Sequence, residues 1–323
     1  MTIRLNILAA ALAAALTATG AAAQSYPAKP IRVIVPFAPG GNVDITARTI
    51  GPALAGVLGQ QVLVENRPGA GGAIGTNAVA KAAPDGYTLM VASSSVMTNG
   101  PALYKNLPYD IVRDLAPVGR IAVVPLALVV HPSVPATTTK ELITVAKAQK
   151  GNMLMGNAGV GTTNHLIAEL FMIRTGAKMN LITYKGSGPA LIDLVAGHIF
   201  VHVDQISSAL PFIKAQRIRP IAVTTARRAA ALPQVPTLAE SGVPGFDAST
   251  VTGVLAPAAV PRAIITRLNG ALNQVLATAA LRDRFTAMGA EAQPGTSEDL
   301  GRFIRDDLAQ WKKVVQQAGI KAE

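Results

Sequence analysis

Ile31-Arg32-Val33-Ile34-Val35-Pro36-Phe37-Ala38-Pro39-Gly40-Gly41-Asn42-Val43-Asp44 runs from a short β-rich apolar segment, through a Pro/Gly turn, into the start of a helix. Val and Ile are stiff about χ1 and suit a pleated strand, and Pro39-Gly40-Gly41 turns the chain. The strand is predicted over 31–37 and the helix from about 44 to 59. The same strand–turn–helix unit recurs outward from this point. A strand at 61–65 leads into a Gly-rich turn at 68–72 and a helix reaching residue 83; Pro84-Asp85-Gly86 then turns the chain into a strand at 87–92. A second series has strands at 153–155, 181–184, 199–204 and 218–224, with helices at 162–175, 189–196 and 209–215 between them. Such alternation predicts an α/β fold with mixed, mostly parallel sheets flanked by helices. Residues 118–130 read as one long strand passing between the two series. Two helices are expected to close the chain. On the last, Leu300, Phe303, Ile304, Leu308, Trp311 and Val315 share one face, which makes the lone Trp a core residue.

The chain has 323 residues, too many for one small core, and 50% are hydrophobic, which excludes a disordered protein. It contains no Cys, so disulfides, thiolate metal sites, cysteine nucleophiles and a lipidated N-terminal Cys are all excluded. Residues 1–6 carry one charge, Arg4; an apolar run at 7–19 follows, and Ala21-Ala22-Ala23 precedes Gln24. This is the pattern of a secretory signal peptide with cleavage after Ala23, the alternative being a membrane anchor, for which the span is short and Ala-rich. The longest later apolar run, 121–130, is broken by Pro125. An exported chain with neither anchor nor lipid is expected in a periplasm.

Catalytic motifs are absent. There is no Gly-x-Ser-x-Gly elbow and no Gly-Lys-Ser/Thr phosphate loop, and Gly69-Ala70-Gly71-Gly72-Ala73-Ile74 lacks the last glycine of a dinucleotide fingerprint. His198 and His202 lie four apart on a strand, and His165 and Glu169 four apart on a helix, each without a third ligand. No catalytic residue, metal or cofactor is therefore assigned.

The positive signal is a pair of glycine-rich strand-to-helix turns, 37–44 and Asn157-Ala158-Gly159-Val160-Gly161-Thr162-Thr163. Each precedes a helix N-terminus, where free N–H groups and the helix dipole favour an anion; ordinary βα-turn chemistry is the alternative for either alone. A charge-assisted hydrogen bond is worth ~1.5–3 kcal/mol and a micromolar ligand needs about 8 kcal/mol, so several backbone donors suffice without a buried Arg. Asp44 and Arg48 stand four apart and can pair with one another. Ser93-Ser94-Ser95, at the end of strand 87–92, offers hydroxyls at the same edge.

These residues resemble a known family. Tyr26-Pro27-x-Lys29-Pro30-Ile31, Pro36-Phe37-Ala38-Pro39-Gly40-Gly41-x-x-Asp44-x-x-Ala47-Arg48, Val64-Glu65-Asn66-Arg67-Pro68-Gly69-Ala70-Gly71-Gly72 and Pro84-Asp85-Gly86-Tyr87-Thr88-Leu89 look like the Bug family, the substrate-binding proteins of tripartite tricarboxylate transporters. Leu107-Pro108-Tyr109-Asp110, His165-Leu166, Tyr184-Lys185-Gly186, Pro189-Ala190-Leu191, Ala222-Val223-Thr224 and Val235-Pro236-Thr237 continue the pattern. The resemblance implies a two-lobed periplasmic binding protein of type II, Venus-flytrap-like, that captures a small carboxylate and delivers it to membrane permease subunits. The organisation expected is signal peptide 1–23, first lobe 24–124, second lobe 125–249, and a return to the first lobe at 250–323. The resemblance further implies ligand contacts by Phe37, Ala38, Gly40, Gly41 and Asp44 from one loop and Ala158, Gly159, Gly161, Thr162 and His165 from the other. Ser94 and Asp204 are expected to face the cleft. A monomer without cofactor is expected.

The chain departs from that pattern at Leu181-Ile182-Thr183, at Val251-Thr252, where an aromatic is usual, and at His202-Val203-Asp204-Gln205. His202 reads as a surface strand histidine, or as a group that meets a polar ligand. The formal charge of +11 includes Lys214, Arg217, Arg219, Arg227 and Arg228 with no acid between Gln205 and Ala239. With 4% aromatic residues and export, nucleic acid is excluded as a partner; a solvated basic face is expected, with permease or membrane docking as the alternative. Two other functions fit the same sequence: a sensor that presents bound ligand to a membrane receptor kinase, and an exported hydrolase.

Overall fold

The computed structural model describes residues 26–321, so the expected signal peptide lies outside the described residues. β1 (Ile31–Val35) is sandwiched in parallel between β2 (Val62–Asn66) and β3 (Thr88–Ser93). α1 (Asn42–Leu58) joins β1 to β2 and ends where Gly59 takes a left-handed conformation (φ 70°) and returns its N–H to Ala55. α2 (Ala73–Ala80) leads to β3; a short turn of helix at Ser95–Asn99 and α3 (Gly100–Leu103) follow.

β4 (Leu115–Val130) is the strand that ties the molecule together. Its residues Leu115 to Pro125 pair antiparallel with β9 (Ser249–Pro257), which itself pairs with β3. From Leu126 to Val130 it pairs instead with β7 (Val201–Gln205) and β8 (Arg219–Val223). Pro125, which has no N–H to give a ladder, stands at the change of partners. The second series supplies α4 (Thr139–Ala148), β5 (Leu154–Asn157), α5 (Thr163–Thr175), β6 (Asn180–Thr183), α6 (Ser187–Ala196) and, after β7, α7 (Ile206–Lys214). β5 runs parallel to β6 and β7. Each lobe thus has a mixed sheet: β2, β1 and β3 run parallel in the first and β6, β5 and β7 in the second, while the pairings made by β4 and β9 are antiparallel.

The first lobe buries one core, which includes Ile34, Ile50, Met90, Leu272 and Phe285. The second buries one on each face of its sheet, the first around Leu128, Phe171 and Val203 and the other around Val129, Leu194 and Ile206. Three helices follow β9, not the expected two: α8 (Arg262–Leu276), α9 (Ala279–Ala287) and α10 (Ser297–Ala318), with the two-residue β10 (Glu291–Ala292) between the last pair. The apolar face of α10 reaches both lobes, since Leu300 and Ile304 join the first core and Val315 the second. Trp311 is half-buried against the second core. Asn99, with its amide oxygen towards the indole, accepts from Trp311 Nε1 at 3.2 Å. α4 falls in a stretch with no predicted element, although Thr138 and Glu141 form a reciprocal capping box there. Among the described residues, no helix is long and apolar enough to cross a membrane.

Candidate functional site

The turn after β1 is held from within. Asp44 accepts from Gly40 N (3.0 Å), Arg48 Nε (2.9 Å) and Asn66 Nδ2 (3.0 Å), while Asn66 also donates to the Phe37 carbonyl. Gly40 sits at φ +83°, a conformation that a side chain would strain. Gly41 then opens α1 in an extended conformation with no side chain to cap it. The first N–H groups of α1 are left for an acceptor from outside the helix.

Other helices begin at the same place. α5 starts after Thr162, α6 after Gly186 and α7 after Gln205, and residues from all four starts line one cavity. The first lobe contributes Phe37, Gly41, Asn42, Val43, Ser93 and Ser95; the second contributes Ala158, Thr162, Asn164, Ser187 and Gln205. The space between the walls is small in this arrangement, about 20 Å³, close to the room that one water needs. No Lys, Arg or His is among these residues, so any positive potential must come from helix dipoles, roughly +0.5 charge at each N-terminus. Asn42 is 3% exposed, its Oδ1 accepts from Ser207 Oγ (2.8 Å), and its Nδ2 has no hydrogen-bond partner. A buried donor without a partner is costly, which marks this one as kept for something else.

The lobes touch around the cavity. Ala38 N donates to the Lys185 carbonyl (2.9 Å), Thr163 N donates to Ser95 Oγ (3.1 Å), and Ser207 reaches Asn42 as above. Gly188 packs so tightly that a Cβ there would lie 2.0 Å from the Pro39 oxygen. An outer chamber, lined by Gly69 to Gly72, Tyr104, Val160 and Thr183 to Lys185, shares Phe37 and Ala158 with the inner cavity.

Of the residues singled out from sequence, Phe37, Gly41, Ala158 and Thr162 line the inner cavity. Ala38 and Gly40 lie at the contact between lobes, and Gly159 lines the outer chamber. Asp44 faces into its own loop. Ser94 turns away, accepting from Val251 N at 3.0 Å, so its neighbours Ser93 and Ser95 reach the cavity instead. Gly161 packs on Tyr104 and gives its N–H to His165 Nδ1 (3.4 Å). His165 lines a different hollow with Glu169 and Met172. Burial pushes its imidazole down to about 4. Glu169 Oε1 stands 3.7 Å from Nε2 and favours the charged ring, but it is partly exposed and burial prevails. The Gly161 N–H also requires a bare Nδ1, which the neutral ring supplies.

Asp204 lies one layer behind the wall: it accepts from Ser187 Oγ (2.6 Å), Ser208 Oγ (2.7 Å) and Asn164 Nδ2 (3.2 Å). His202 is fully buried rather than on the surface, because its side of β7 is covered by the second lobe's helices. Its Nδ1 bonds the Gly156 carbonyl (2.8 Å), and its Nε2 stands 3.9 Å from Asp204 without a hydrogen bond. Val251 and Thr252 are buried in β9, outside the cavity wall. Ser93 and Ser95 belong to the serine run noted from sequence, whereas Asn42, Val43, Asn164, Ser187 and Gln205 were not assigned to the site. Among the described residues no group of three or more His, Cys, Asp or Glu is placed to hold a metal ion.

Residues 46–320 match the sequence profile of the family described as "Tripartite tricarboxylate transporter family receptor". The chain belongs to that family. It is 40% identical to Protein BugT of Bordetella pertussis, with 99% of each chain covered. Among solved structures it is similar to R. palustris Rpa4515 with adipate, at 35% identity and TM-score 0.89, covering 92% of this chain and 99% of that one. It is also similar to MatC (Rpa3494) from Rhodopseudomonas palustris with bound malate, at 31% identity and TM-score 0.86, covering 90% and 100%. The chain is therefore a two-lobed member of the Bug family of periplasmic solute-binding proteins.

Proposed function

We propose that this receptor captures a small organic acid between its lobes and delivers it to permease subunits of a tripartite tricarboxylate-type transporter. The observation that carries the reading is the uncapped start of α1 beside the unpartnered Asn42 Nδ2, in a cavity ringed by four helix N-termini. Such a site attracts a carboxylate through dipoles and N–H groups, and holds no full positive charge that would demand a multiply charged ligand. The adipate and malate carried by the two relatives agree with this chemistry. Capture consists of shifting the lobes towards the touching arrangement, since the cavity is complete only when both walls meet. No bond in the ligand is made or broken. The lobes in this reading are 24–124 with 250–323, and 125–249, after removal of 1–23 on export to the periplasm; the exchange of sheet partners at Pro125 supports the division. Thermal-shift measurements against mono- and dicarboxylates test the reading. An acid at about 100 Kd adds ~2.7 kcal/mol of stability. If neutral solutes raise the melting temperature and acids do not, the proposal fails.

A further inference from the structure

The strands of the second lobe have two ends of different character. Asn180, Leu154, Val201, Val130 and Arg219 stand within one residue of register across the sheet, so the turns leading into β5, β6, β7 and β8 gather at the end away from the cavity. At the cavity end, the starts of α5, α6 and α7 bring no Lys, Arg or His to the wall. At the far end stand Lys147, Lys150, Lys178, Lys214 and Arg217, all exposed. None of residues 130–138, 147–154, 174–180, 196–201 and 214–219 is Asp or Glu. Two carboxylates come near in sequence, and both are occupied. Glu141 accepts from Thr137 N (2.7 Å) and Thr138 N (3.1 Å), and Asp193 accepts from Tyr184 Oη (2.7 Å) beside His198 (3.3 Å). Arg219 and Arg174 are held within the lobe, the first by the Val134 and Ala136 carbonyls and the second over the Phe246 ring. The side chains of the five exposed cations have no such partner among the described residues. The helix dipole favours a cation in a last turn, which accounts for Lys147 and Lys214. Lys150, Lys178 and Arg217 lie past the helix ends. Like charges gathered without a carboxylate repel one another, and an anionic partner relieves that repulsion.

We propose that this end of the second lobe adsorbs to an anionic phospholipid surface, with Lys147, Lys150, Lys178, Lys214 and Arg217 against the headgroups. Lysine is depleted from protein–protein interfaces, and none of the large exposed apolar side chains lies in these turns to form the dry centre of one. A bilayer needs no such centre. Flexible lysines act there through charge alone, each strengthening adsorption by roughly fivefold. The cavity lies at the opposite end of the same strands, so an adsorbed receptor keeps its cleft clear of lipid. Adsorption goes beyond capture of the acid and does not depend on which ligand fills the cavity.

Cosedimentation of the purified protein with phosphatidylcholine vesicles, with and without an equal part of phosphatidylglycerol, tests this. Binding is expected only to the vesicles that contain phosphatidylglycerol, and it should fade in high salt, which screens the charges. Replacing the five residues with Gln is expected to weaken binding by about a hundredfold or more. Replacing five exposed cations of the first lobe, Lys81, Lys105, Arg282, Arg284 and Arg305, should weaken it by less than about tenfold. Should the five-site variant of the second lobe melt early, Lys178→Gln and Lys214→Gln alone are each expected to lose about fivefold. Equal losses in the two five-site variants would make adsorption a matter of net charge and overturn the assignment to this face. Indifference of the unaltered protein to phosphatidylglycerol would overturn it outright. If the protein ignores the vesicles but binds membranes of the producing cells, and protease treatment of those membranes abolishes the binding, the partner is a membrane protein and the lipid proposal falls.

Discussion

The two glycine-rich loops look alike in sequence and do opposite things in the structure. Loop 37–44 leaves α1 open: Gly41 brings no side chain, and Asp44 is turned back onto Gly40 N and Arg48. Loop 157–163 closes α5: Thr162 Oγ1 accepts from His165 N (3.3 Å), and Ser95 from the other lobe takes Thr163 N. A Gly-rich turn before a helix therefore announces a site only if the donors are still free, and a Thr at the cap position is enough to use them. In the proposed function, anion capture is weighted towards the first loop, while the second shapes the wall and meets the opposite lobe.

The largest expected effect breaks this contrast at its open side. Asn42→Asp places an acceptor with charge where the donor stood, beside a bound carboxylate; affinity for the acid is expected to fall by ~3 kcal/mol or more, measured by calorimetry. A loss equal to that of a distant surface variant would show that the carboxylate lies elsewhere. Gly188→Ala comes next. Its Cβ would overlap the Pro39 oxygen, so the walls cannot meet without a shift, and a cost of ~1–3 kcal/mol should appear in ligand affinity more than in the melting temperature of the free protein. An effect on the free protein alone would remove lobe contact as the cause.

On the closed side the effects lie in stability. The fold favours neutral His165, with its ring pushed from 6.5 to about 4. Between those values the unfolded chain binds more protons, so stability is complete above about 6.5 and drains away as pH falls towards 4. The loss is on the order of 3 kcal/mol, and His165→Gln should flatten this part of the melting profile; an unchanged profile would assign the acid sensitivity to other groups. Thr162→Ala removes the cap on His165 N and the bond that its hydroxyl gives to the Gly159 carbonyl (2.7 Å); it should cost ~1–2 kcal/mol in denaturant titration, with ligand affinity changing less than for Asn42→Asp. A large loss of affinity instead would make the second loop an equal partner in capture.

Much of the fold is legible because its signals are local. The β-branched run of β1, the glycines that stop α1, α5 and α6, and the Pro84-Asp85-Gly86 turn each act within a few residues. Even so, the Thr138–Glu141 capping box that starts α4 passed unread, and α8 and α9 merge in sequence because only Ala277 and Thr278 divide them. The site is less legible for a different reason. Whether Ser93, Ser94 or Ser95 faces the cleft depends on where β9 supplies Val251 N to take one hydroxyl, a contact across 157 positions of chain. Asp204 and Gln205 are neighbours with exchanged expectations: the carboxylate is used to fix Ser187, and the amide beside it reaches the wall. The importance of Asn42 appears only when Ser207 arrives from the other lobe and leaves its Nδ2 as the unpaired atom.

β4 and β9 cross between the lobes side by side, paired at Pro125 and Ser249, and α10 crosses separately with its ends in different cores. Two bodies pinned at two separate points can turn cheaply only about the line through both pins. In the proposed capture the lobes are accordingly hung like a door rather than sprung like jaws, and ligand enters on the side away from that line.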